Sequence, residues 1–540
     1  MEQRAKRVPF ILISVSLLLI LLNFGCRQQN ELQTAEAQKS GGESYQEYSG
    51  GQFTFYLPQT YQQVKTATDE ITLLFRKDNC TLKVFQQKLG DKLTAESYIE
   101  YGNVQLYKGT AGFEVLETET LPVKEGSLRQ ITYKRPKLTA VENDPNYYTE
   151  VHLLPAHADY ILTFWGKSDE AEHERFKEEL IEAAQGVMFN NLQADLSAQV
   201  KATASSEGSE LTEEGAVAGN VAQELQINYS GKRFQFEILP HKLVWGRYYP
   251  GVPFDARSME TMLESEKELG HKFEILMTYV AFPGIVEFPA EAVSKVYQDG
   301  RILMLTLQPF SEGHTLIAVP EIINGQYDAQ IKEWAVGLKE IGEPVFVSPL
   351  NEMNSDWDPW CAWFFGKDTD LYIEAWRHIV NLFREAQADN VLFVWNPHNS
   401  SFPDFQWNNA HLYYPGDEYV DWIGLSGYNN GTTHPGDEWR EFDEIFKPLY
   451  AEYEKRYPNK PFIIAEFGCN EKGGVKARWI EKAMASIANN NYPNIKIAIW
   501  YDNQVNAWHY ELDSSEEAFA AFQKGLGNIG FLKKAISISQ

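Results

Sequence analysis

From residue 234 onward, short apolar runs of strand length alternate with amphipathic runs of helical length, and this alternation restricts the possible folds more than any other feature of the chain. The strand-like runs are residues 243–249, 273–281, 302–308, 345–350, 391–396, 422–427, 462–467 and 495–501. The helical runs between them are residues 259–269, 290–298, 328–341, 371–386, 442–457 and 476–489. Apolar strands that are nearly all followed by an amphipathic helix are typical of a parallel barrel. The sequence therefore predicts an α/β fold, a (β/α)8 TIM barrel over residues 229–532.

The connection between the fifth and sixth strand-like runs is the weakest part of this pattern. Residues 400–418 are typical of a loop rather than of a helix. A doubly wound open sheet is the competing arrangement, but such sheets bind phosphate at a Gly-rich turn. The sequence shows no such turn, and the closed barrel is therefore preferred.

The sequence before the barrel predicts a small α+β domain over residues 51–189. Its strand-like runs are residues 53–57, 71–76, 81–86 and 130–134, with a hairpin over 148–165, and its helical runs are residues 94–106 and 170–184. Phe176, Leu180 and Ala183 recur at helical spacing in the second helix and give it one apolar face. Residues 190–228 contain no aromatic residue and are interpreted as a flexible linker. The domain resembles PsbP-like domains only loosely, and we expect a spacer, surface-binding or docking role.

Residues 1–25 have the features of a bacterial export signal. A basic start is followed by an apolar stretch over residues 8–22, which is too short to span a membrane comfortably. The stretch leads to Cys26 and resembles a lipoprotein signal, in which this cysteine is lipidated after cleavage. We therefore predict an exported protein that is anchored to the membrane by lipid on Cys26, with residues 26–50 as a polar tether. Simple secretion and an uncleaved anchor are the alternatives.

The composition argues against several classes of partner. The formal net charge of −27 repels phosphate backbones, so we predict no nucleic-acid binding and a neutral rather than a polyanionic substrate. The 14 Trp and 28 Tyr suit stacking on sugar rings, although a Trp-rich core accounts for them equally well. The 11 His show no metal-binding spacing, so neither a metal nor a cofactor is predicted, and we expect a monomer. Whether Cys361 and Cys469 pair within the barrel stays open at this stage.

Two glutamates follow apolar strands at matched places in the predicted barrel. Glu352 comes directly after the fourth strand, and Glu466 lies at the end of the seventh. Reactive residues of such barrels lie at the carboxyl ends of the strands. Breaking a glycosidic bond needs one carboxyl group to protonate the leaving oxygen and a second to attack the anomeric carbon or to activate water. A strand-end glutamate can also cap a helix or pair with arginine, but two at matched strand ends favour catalysis.

The segment from Glu352 to Trp360 reads E-M-N-S-D-W-D-P-W, and further motifs follow or precede it in a fixed order. These motifs are GQYD at 325–328, VWNP at 394–397, YYPGD at 413–417, VDWIG at 420–424, GYN at 427–429 and EFG at 466–468. Together they resemble glycoside hydrolase family 26, the β-mannanase family, over about residues 230–530. The resemblance implies a retaining mechanism with Glu352 as acid/base and Glu466 as nucleophile.

The resemblance also implies a set of substrate-binding residues. Tyr428 is expected to hydrogen-bond the nucleophile and hold it ionised. The aromatic candidates are Trp357 and Trp500 as stacking walls, with Trp360 and Trp395 as further candidates; core packing is the alternative for all four. Because retaining enzymes hold their two carboxyl groups close together, we predict a separation of roughly 5–6 Å between Glu352 and Glu466.

One departure from the family pattern concerns the substrate. Family mannanases usually carry Arg-x-x-His directly before the acid/base, whereas this chain has Ser348 and Asn351. In the wider superfamily an asparagine at this place binds the sugar 2-hydroxyl, which is where mannose and glucose differ. We predict an endo-β-1,4-mannanase, and another β-glycanase acting on β-glucan or xylan stays open, as do exo action and an inert glycan-binding surface lipoprotein.

Overall fold

The structure, a computed structural model, describes residues 44–65, 73–123, 126–156, 159–189, 243–282, 287–310, 318–489 and 491–528. The predicted signal peptide, Cys26 and the predicted linker at 190–228 lie outside the described residues. The chain divides into two compact units. The first takes in the described parts of residues 1–90, 116–133 and 145–213, and the second those of 91–115, 134–144 and 214–540. No helix within the described ranges is long and apolar enough to cross a membrane.

The first unit is built on two sheets. A three-stranded sheet has the order β1-β2-β10, with β1 Tyr45–Ser49, β2 Phe53–Pro58 and β10 Met188–Phe189. A seven-stranded sheet has the order β3-β4-β5-β9-β8-β7-β6, formed by β3 Gln62–Val64, β4 Leu73–Lys77, β5 Cys80–Lys88, β6 Glu114–Pro122, β7 Ser127–Lys134, β8 Tyr147–Leu154 and β9 Tyr160–Ser168. The predicted hairpin corresponds to the antiparallel pair β8 and β9. Strands β1, β3 and β6 were not anticipated from the sequence, because they are largely exposed and carry no apolar run.

Two helices accompany these strands along the chain. Helix α1, Ala95–Tyr107, follows β5 in sequence but belongs to the second unit. Helix α2, His173–Gln185, stays in the first unit and buries its predicted apolar face. Phe176, Leu180 and Ala183 of α2 join the sheet side chains in one hydrophobic core. The spacing of these residues therefore predicted the buried face correctly.

The second unit contains a closed barrel of parallel strands. The strands are β11 Val244–Tyr248, β12 Ile275–Phe282, β13 Ile302–Pro309, β14 Val345–Pro349, β15 Val391–Trp395, β16 Trp422–Asn429, β17 Phe462–Cys469 and β18 Ile495–Tyr501. Strand β11 pairs in parallel with both β12 and β18, which closes the barrel. The predicted (β/α)8 TIM barrel is confirmed, and each strand bound agrees with the sequence-based one to within two residues.

Side chains from alternate positions of the strands fill the barrel interior. Leu392 and Val394 of β15 lie in this core, as do Ile497 and Ile499 of β18. Because successive side chains of a strand point to opposite faces, the residues between and after them face outward, toward the helices. This alternation determines which aromatic residues can reach the mouth of the barrel.

Helices surround the barrel. They are α3 Ala256–Leu269, α4 Ala290–Gln298, α5 Ala318–Ile323, α6 Asp328–Ile341, α7 Thr369–Glu385, α8 Phe442–Arg456, α9 Lys476–Ala488 and α10 Glu516–Asn528. Between β15 and β16 the described chain forms two short 3-10 helices, Gln406–Asn408 and Ala410–Tyr413, in place of an α-helix. The prediction of a loop-like connection there is confirmed.

Helix α1 packs within the barrel's unit rather than with the small unit that precedes and follows it in sequence. Thr94 caps its start, because the hydroxyl accepts a hydrogen bond from the Ser97 amide in a capping box. The ammonium group of Lys367 donates to Asn103 Oδ1 at 2.6 Å and to the Gly102 carbonyl at 3.2 Å. In the spatial division this helix therefore belongs with the barrel, although it lies between β5 and β6 in sequence.

The amino-terminal end of the barrel holds a buried ion pair. Arg301, directly before β13, donates from both terminal nitrogens to Glu266 of α3 at 2.6 Å. It also donates to the Phe273 carbonyl at 2.7 Å and to Asp299 at 2.5 Å. The arginine side chain is 1% exposed and that of Glu266 6%. The buried charges of Arg301 and Glu266 are thus matched by each other through hydrogen bonds.

Candidate active site

A cleft of about 790 Å³ opens at the carboxyl ends of the barrel strands. Every barrel strand, or the loop directly after it, contributes a lining residue. In strand order these are Tyr248, Tyr279, Gln308, Glu352, His398, Tyr428, Glu466 and Tyr501. The cleft therefore lies where barrels of this kind carry their reactive groups.

Glu352 is placed by an unusual turn at the end of β14. Leu350 and Glu352 both have positive φ, at 52° and 53°, a conformation that is uncommon for residues other than glycine. Two hydrogen bonds pin this backbone, from the Leu350 amide to the Leu307 carbonyl at 3.0 Å and from the Glu352 amide to the Asn396 carbonyl at 2.7 Å. The neighbouring strands β13 and β15 thus hold the turn that directs the Glu352 carboxyl group into the cleft.

Glu466 is aimed by an irregularity in β17. The pairing with β16 passes from Leu425–Ile464 to Ser426–Glu466, which leaves Ala465 as an extra residue. Such bulges redirect a side chain and occur often beside active sites. Tyr428 of β16 donates from its hydroxyl to Glu466 Oε2 at 2.6 Å. The predicted hydrogen bond from Tyr428 to the second glutamate is therefore present.

Neither glutamate has a cation as partner among the described residues. Glu352 is 8% exposed and Glu466 3%, and one carboxyl oxygen of each has no hydrogen-bond partner within the described part of the chain. Burial raises the pKa of both carboxyl groups, and for Glu466 the nearby charge of Glu352 raises the pKa further. Since two close carboxylates resist being charged together, the pair retains a proton in a range where solvated glutamates have lost theirs.

Hydrogen bonds decide which member of the pair is better suited to stay ionised. Tyr428 donates a hydrogen bond to Glu466 and lowers its pKa. Tyr279 also lowers the pKa of Glu466, whereas Trp357 alone lowers that of Glu352. Donors directed at a carboxylate favour its charged form. Tyr428 therefore favours the ionised form of Glu466, the form that a nucleophile needs, although burial and the charge of Glu352 still raise its pKa above that of Glu352.

Tyrosine side chains enclose the Glu466 side of the cleft. The ring of Tyr501 stacks on that of Tyr248 with centroids 4.7 Å apart, and it meets the edge of Tyr428 at 5.6 Å. Tyr279 lies against Tyr248 at 5.1 Å. Burial and the charge of Glu466 raise the pKa of Tyr248 to about 12. These phenols therefore remain neutral hydrogen-bond donors around the carboxylate.

Two exposed aromatic side chains form the opposite wall, next to Glu352. Trp357 is 45% exposed and Phe402 44%, and their rings lie 5.4 Å apart. His398 meets the edge of Trp357 at 5.3 Å, and burial lowers the pKa of this histidine to about 4. The wall is therefore aromatic and uncharged near neutral pH, which suits stacking of a sugar ring on one of its faces.

A third carboxyl group lies in the cleft. Burial, and then the charges of Glu352 and Glu466, raise the pKa of Asp358 well above its usual range. A protonated Asp358 can both donate and accept a hydrogen bond, which fits a sugar hydroxyl. Farther along the cleft, Trp508 donates from its indole nitrogen to Asp437 at 3.2 Å, and both residues line the wall.

The structure brings most of the predicted site residues together. Glu352, Glu466, Tyr428, Trp357 and Asn351 all line the cleft. The Asn351 side-chain oxygen accepts a hydrogen bond from Gln308 at 3.1 Å, which fixes the amide beside Glu352.

Three predicted tryptophans do not line the cleft, and their assignment as substrate-binding residues is corrected. Trp500 is 1% exposed and packs on Phe522 at 4.5 Å, because Ile499 before it faces the barrel interior. Trp395 is fully buried and faces outward for the same reason, since Val394 faces inward. Trp360 is also buried.

Trp360 and Trp500 nevertheless hydrogen-bond the backbone of residues that line the cleft. The Trp360 indole donates to the Asn351 carbonyl at 2.5 Å, and the Trp500 indole donates to the Tyr510 carbonyl at 2.9 Å. Asn351 and Tyr510 both line the cleft. The core-packing alternative therefore holds for these residues, and Tyr501 occupies the place predicted for Trp500.

The cysteines of the barrel do not form a disulfide. Cys361 and Cys469 are both buried and free. The Cys361 sulfur lies 3.0 Å from the Ser355 hydroxyl, whereas the Cys469 sulfur accepts from Asn429 at 3.2 Å. Among the residues that the structure describes, no group of three or more His, Cys, Asp or Glu side chains is arranged to hold a metal ion.

Comparison with known proteins identifies the segment that carries Glu352. Residues 314–457 match the model of glycosyl hydrolase family 26. The match confirms the resemblance that the ordered motifs predict. It covers the strands β14 to β16, and with them Glu352, Trp357 and Tyr428.

Curated relatives of the chain carry different names. Endoglucanase H of Acetivibrio thermocellus is 35% identical over 292 residues, which is 52% of this chain and 31% of that protein. The mannan endo-1,4-beta-mannosidase A and B of Caldalkalibacillus mannanilyticus is 27% identical over 171 residues, or 30% of each. Beta-1,3-xylanase TXYA of a Vibrio species is 30% identical over 150 residues, which is 27% of this chain and 28% of that protein. The chain thus spans about a third of the length of these relatives.

Proposed function

We propose that this protein is a retaining glycoside hydrolase that cleaves β-linked polysaccharide. The observation that carries the proposal is the pair of buried, cation-free carboxyl groups of Glu352 and Glu466 in one cleft at the carboxyl end of the barrel. Buried carboxyl groups without a cationic partner are costly to the fold, and their placement in a cleft is typical of acid–base chemistry.

The reaction follows from the environments of the two groups. Glu466, held ionised by Tyr428, attacks the anomeric carbon, while Glu352 gives its proton to the oxygen of the leaving sugar. A covalent bond from Glu466 to the sugar forms, and the glycosidic bond breaks. Glu352, now ionised, takes a proton from water, and the resulting hydroxide displaces Glu466. The product keeps the β configuration.

The substrate is proposed to be β-1,4-mannan, cleaved within the chain. The resemblance to the mannanase family and the similarity to a mannan endo-1,4-beta-mannosidase support this choice. A β-glucan is the second candidate, because Asn351 replaces the family histidine and because Endoglucanase H is 35% identical. Xylan comes third.

Activity and mechanism can be tested together. Release of reducing ends from mannan, mixed-linkage β-glucan and xylan gives the substrate, and inactivity on all three contradicts the proposal. For the mechanism, Glu352→Ala should form a glycosyl-enzyme rapidly from an activated aryl β-glycoside and then stall, because water lacks its general base. Azide should restore turnover of this variant and give the β-glycosyl azide. If Glu466 is the nucleophile, Glu466→Ala with azide should give the α-glycosyl azide. If Glu352→Ala gives the α product and Glu466→Ala the β product, the roles of the two glutamates are reversed.

We further propose that the protein is exported and anchored to the membrane by lipid on Cys26. The basic and apolar leader that ends at this cysteine supports the proposal. Two acyl chains suffice for stable anchoring, whereas one chain is marginal. Cys26→Ser should release active protein from the membrane fraction. A wild-type protein that is already soluble in the medium indicates simple secretion instead.

A further inference from the structure

Exposed aromatic side chains occur in two places among the described residues. Trp357 and Phe402 line the cleft, at 45% and 44% exposure, and Tyr101 and Tyr107 lie on α1, at 42% and 41%. The other large apolar side chains that are exposed within the described ranges are aliphatic. Grouped exposed apolar side chains often mark a binding surface. The aromatic residues of α1 are therefore a candidate binding surface.

Tyr101 adjoins the cleft wall directly. Its hydroxyl donates a hydrogen bond to the carboxylate of Asp356, the residue that precedes Trp357. Its ring stacks on Trp363 with centroids 5.4 Å apart and meets the edge of Phe405 at 6.3 Å. Trp363 belongs to the loop that carries Trp357, and Phe405 to the loop that carries Phe402. Tyr101 thus lies where these two loops meet.

Helix α1 is held firmly in this place. The indole of Trp363 donates to the Tyr101 carbonyl at 3.0 Å, and Lys367 donates to Asn103 at 2.6 Å. Tyr98, one turn earlier, packs its ring against Phe405 at 4.7 Å. The exposed ring of Tyr101 is therefore a fixed surface, which costs little side-chain entropy when a ligand binds.

The proposed reaction indicates on which side of the cleaved bond Tyr101 lies. The sugar that is attacked must lie at Glu466, inside the ring of tyrosines. The sugar that leaves must lie next to the acid, Glu352, which lines the cleft together with Trp357 and lies close enough to it for Trp357 to lower its pKa. The wall of Trp357 and Phe402 is therefore on the leaving side. Tyr101 does not line the cleft itself, but it contacts the two loops that carry this wall.

We propose that Tyr101 forms a distal subsite that binds a sugar ring of the leaving part of the glycan, beyond Trp357 and Phe402. The inference rests on the proposed hydrolase function. A tyrosine ring offers a flat apolar face and a polar edge, which matches the C–H face and hydroxyl rim of a sugar. Cleavage then depends on the length of the substrate on its leaving side, and a helix outside the barrel sequence contributes to substrate choice.

The test compares substrates with and without sugars on the leaving side. The substrates are β-1,4-linked mannan and glucan, and the corresponding aryl β-disaccharides, whose leaving group is not a sugar. Tyr101→Ala should raise KM for the polysaccharide about 3- to 10-fold and leave the aryl glycoside unaffected. Tyr101→Phe, which keeps the ring and loses the hydrogen bond to Asp356, should stay near wild type. Tyr107→Ala, on the same helix with similar exposure, is the matched control and should also match wild type.

Several results overturn the subsite. Equal loss on both kinds of substrate, or a Tyr101→Phe variant as impaired as Tyr101→Ala, means that Tyr101 only positions the Asp356 loop. No change in Tyr101→Ala means that no sugar reaches the ring. If the wild-type protein turns over neither substrate, the hydrolase proposal fails by itself. The subsite is then judged by titration calorimetry with mannohexaose and cellohexaose, where weaker binding to Tyr101→Ala supports it and equal binding refutes it.

Discussion

Two pairs of buried charged groups, one at each end of the barrel, differ in how their charges are compensated. At the amino-terminal end, Glu266 is matched by Arg301 through two hydrogen bonds of 2.6 Å. At the carboxyl end, Glu352 and Glu466 are buried together, and each keeps a carboxyl oxygen without a partner in the described part of the chain. The Arg301–Glu266 pair leaves no charge of the pair uncompensated, whereas the Glu352–Glu466 pair has no cation to compensate an ionised carboxylate. In barrels of this type the first end serves stability and the second serves chemistry, and the pairing of charges shows the difference here.

The largest expected effect is on catalysis at the carboxyl end. Glu466→Ala removes the proposed nucleophile, and activity should fall below ~10⁻⁴ of wild type. The fold should be kept or slightly stabilised, since an unpaired buried carboxyl group is lost. Steady-state kinetics and a thermal melt of the same preparation check both parts. Residual activity above about one per cent, or a melting temperature that collapses, contradicts the division of roles.

The amino-terminal end should respond in the reverse manner. Arg301→Met leaves Glu266 buried without its cation and should cost about 3–5 kcal/mol of unfolding free energy. The kcat of the folded fraction should remain that of wild type, because Arg301 lies at the other end of the barrel. Denaturant unfolding measures the loss. Lys295→Met removes the exposed ion pair with Glu291 and is the control, for which no measurable change is expected.

A pH series sharpens the comparison. The folded-state pKa values of Glu352 and Glu466 lie above the value of about 4.3 for a solvated glutamate, so the folded protein binds protons that the unfolded chain has released. Stability should therefore decrease as pH rises from that value into the neutral range, by at most about 1.4 kcal/mol per pH unit for each extra proton.

The double variant Glu352→Gln Glu466→Gln has neither carboxyl group, so it should not show this decrease of stability with rising pH. Its stability relative to wild type should increase with pH and gain about 2 kcal/mol by pH 7. Melting curves between pH 4 and pH 8 measure the trend. Glu260→Gln Glu264→Gln changes two exposed residues of α3 and should follow wild type throughout. A constant difference between the first double variant and wild type refutes the raised pKa values.

The smallest expected effect concerns the bond between Tyr428 and Glu466. Tyr428→Phe removes a donor at 2.6 Å that lowers the pKa of Glu466. The pKa of the nucleophile should rise, so the acidic limb of the pH profile of kcat/KM should move to higher pH. At neutral pH kcat should fall about 10-fold. An unchanged acidic limb means that Tyr428 does not act through the ionisation of Glu466.

The fold could be predicted from the sequence because its strands are buried on both faces. Continuous apolar runs such as residues 462–467 stand out between amphipathic helices, and their alternation defines the barrel. Helix α5 has only six residues, and it leaves no periodic pattern to detect. Strand β6 is largely exposed and has no apolar run.

The positions of the two glutamates in the cleft could be predicted, because the strands of a parallel barrel all end at one face, but the aromatic walls could not. A motif shows that a tryptophan is present and does not show which face of the strand it occupies. Trp500 and Tyr501 are neighbours, and the inward position of Ile499 sends only Tyr501 into the cleft. The alternation along β18 is the signal that predicts Tyr501, because every second residue after Ile497 and Ile499 faces inward.

Residues 91–115 and 134–144 return to the barrel's unit from within the sequence of the smaller unit. As a consequence, no single cut of the polypeptide separates the two units. A fragment that begins at the predicted start of the barrel, residue 229, lacks α1 and exposes the rings of Phe405 and Trp363 that α1 covers. A gene fusion or a recombination event that transfers the whole unit of the barrel therefore has to include these two upstream segments.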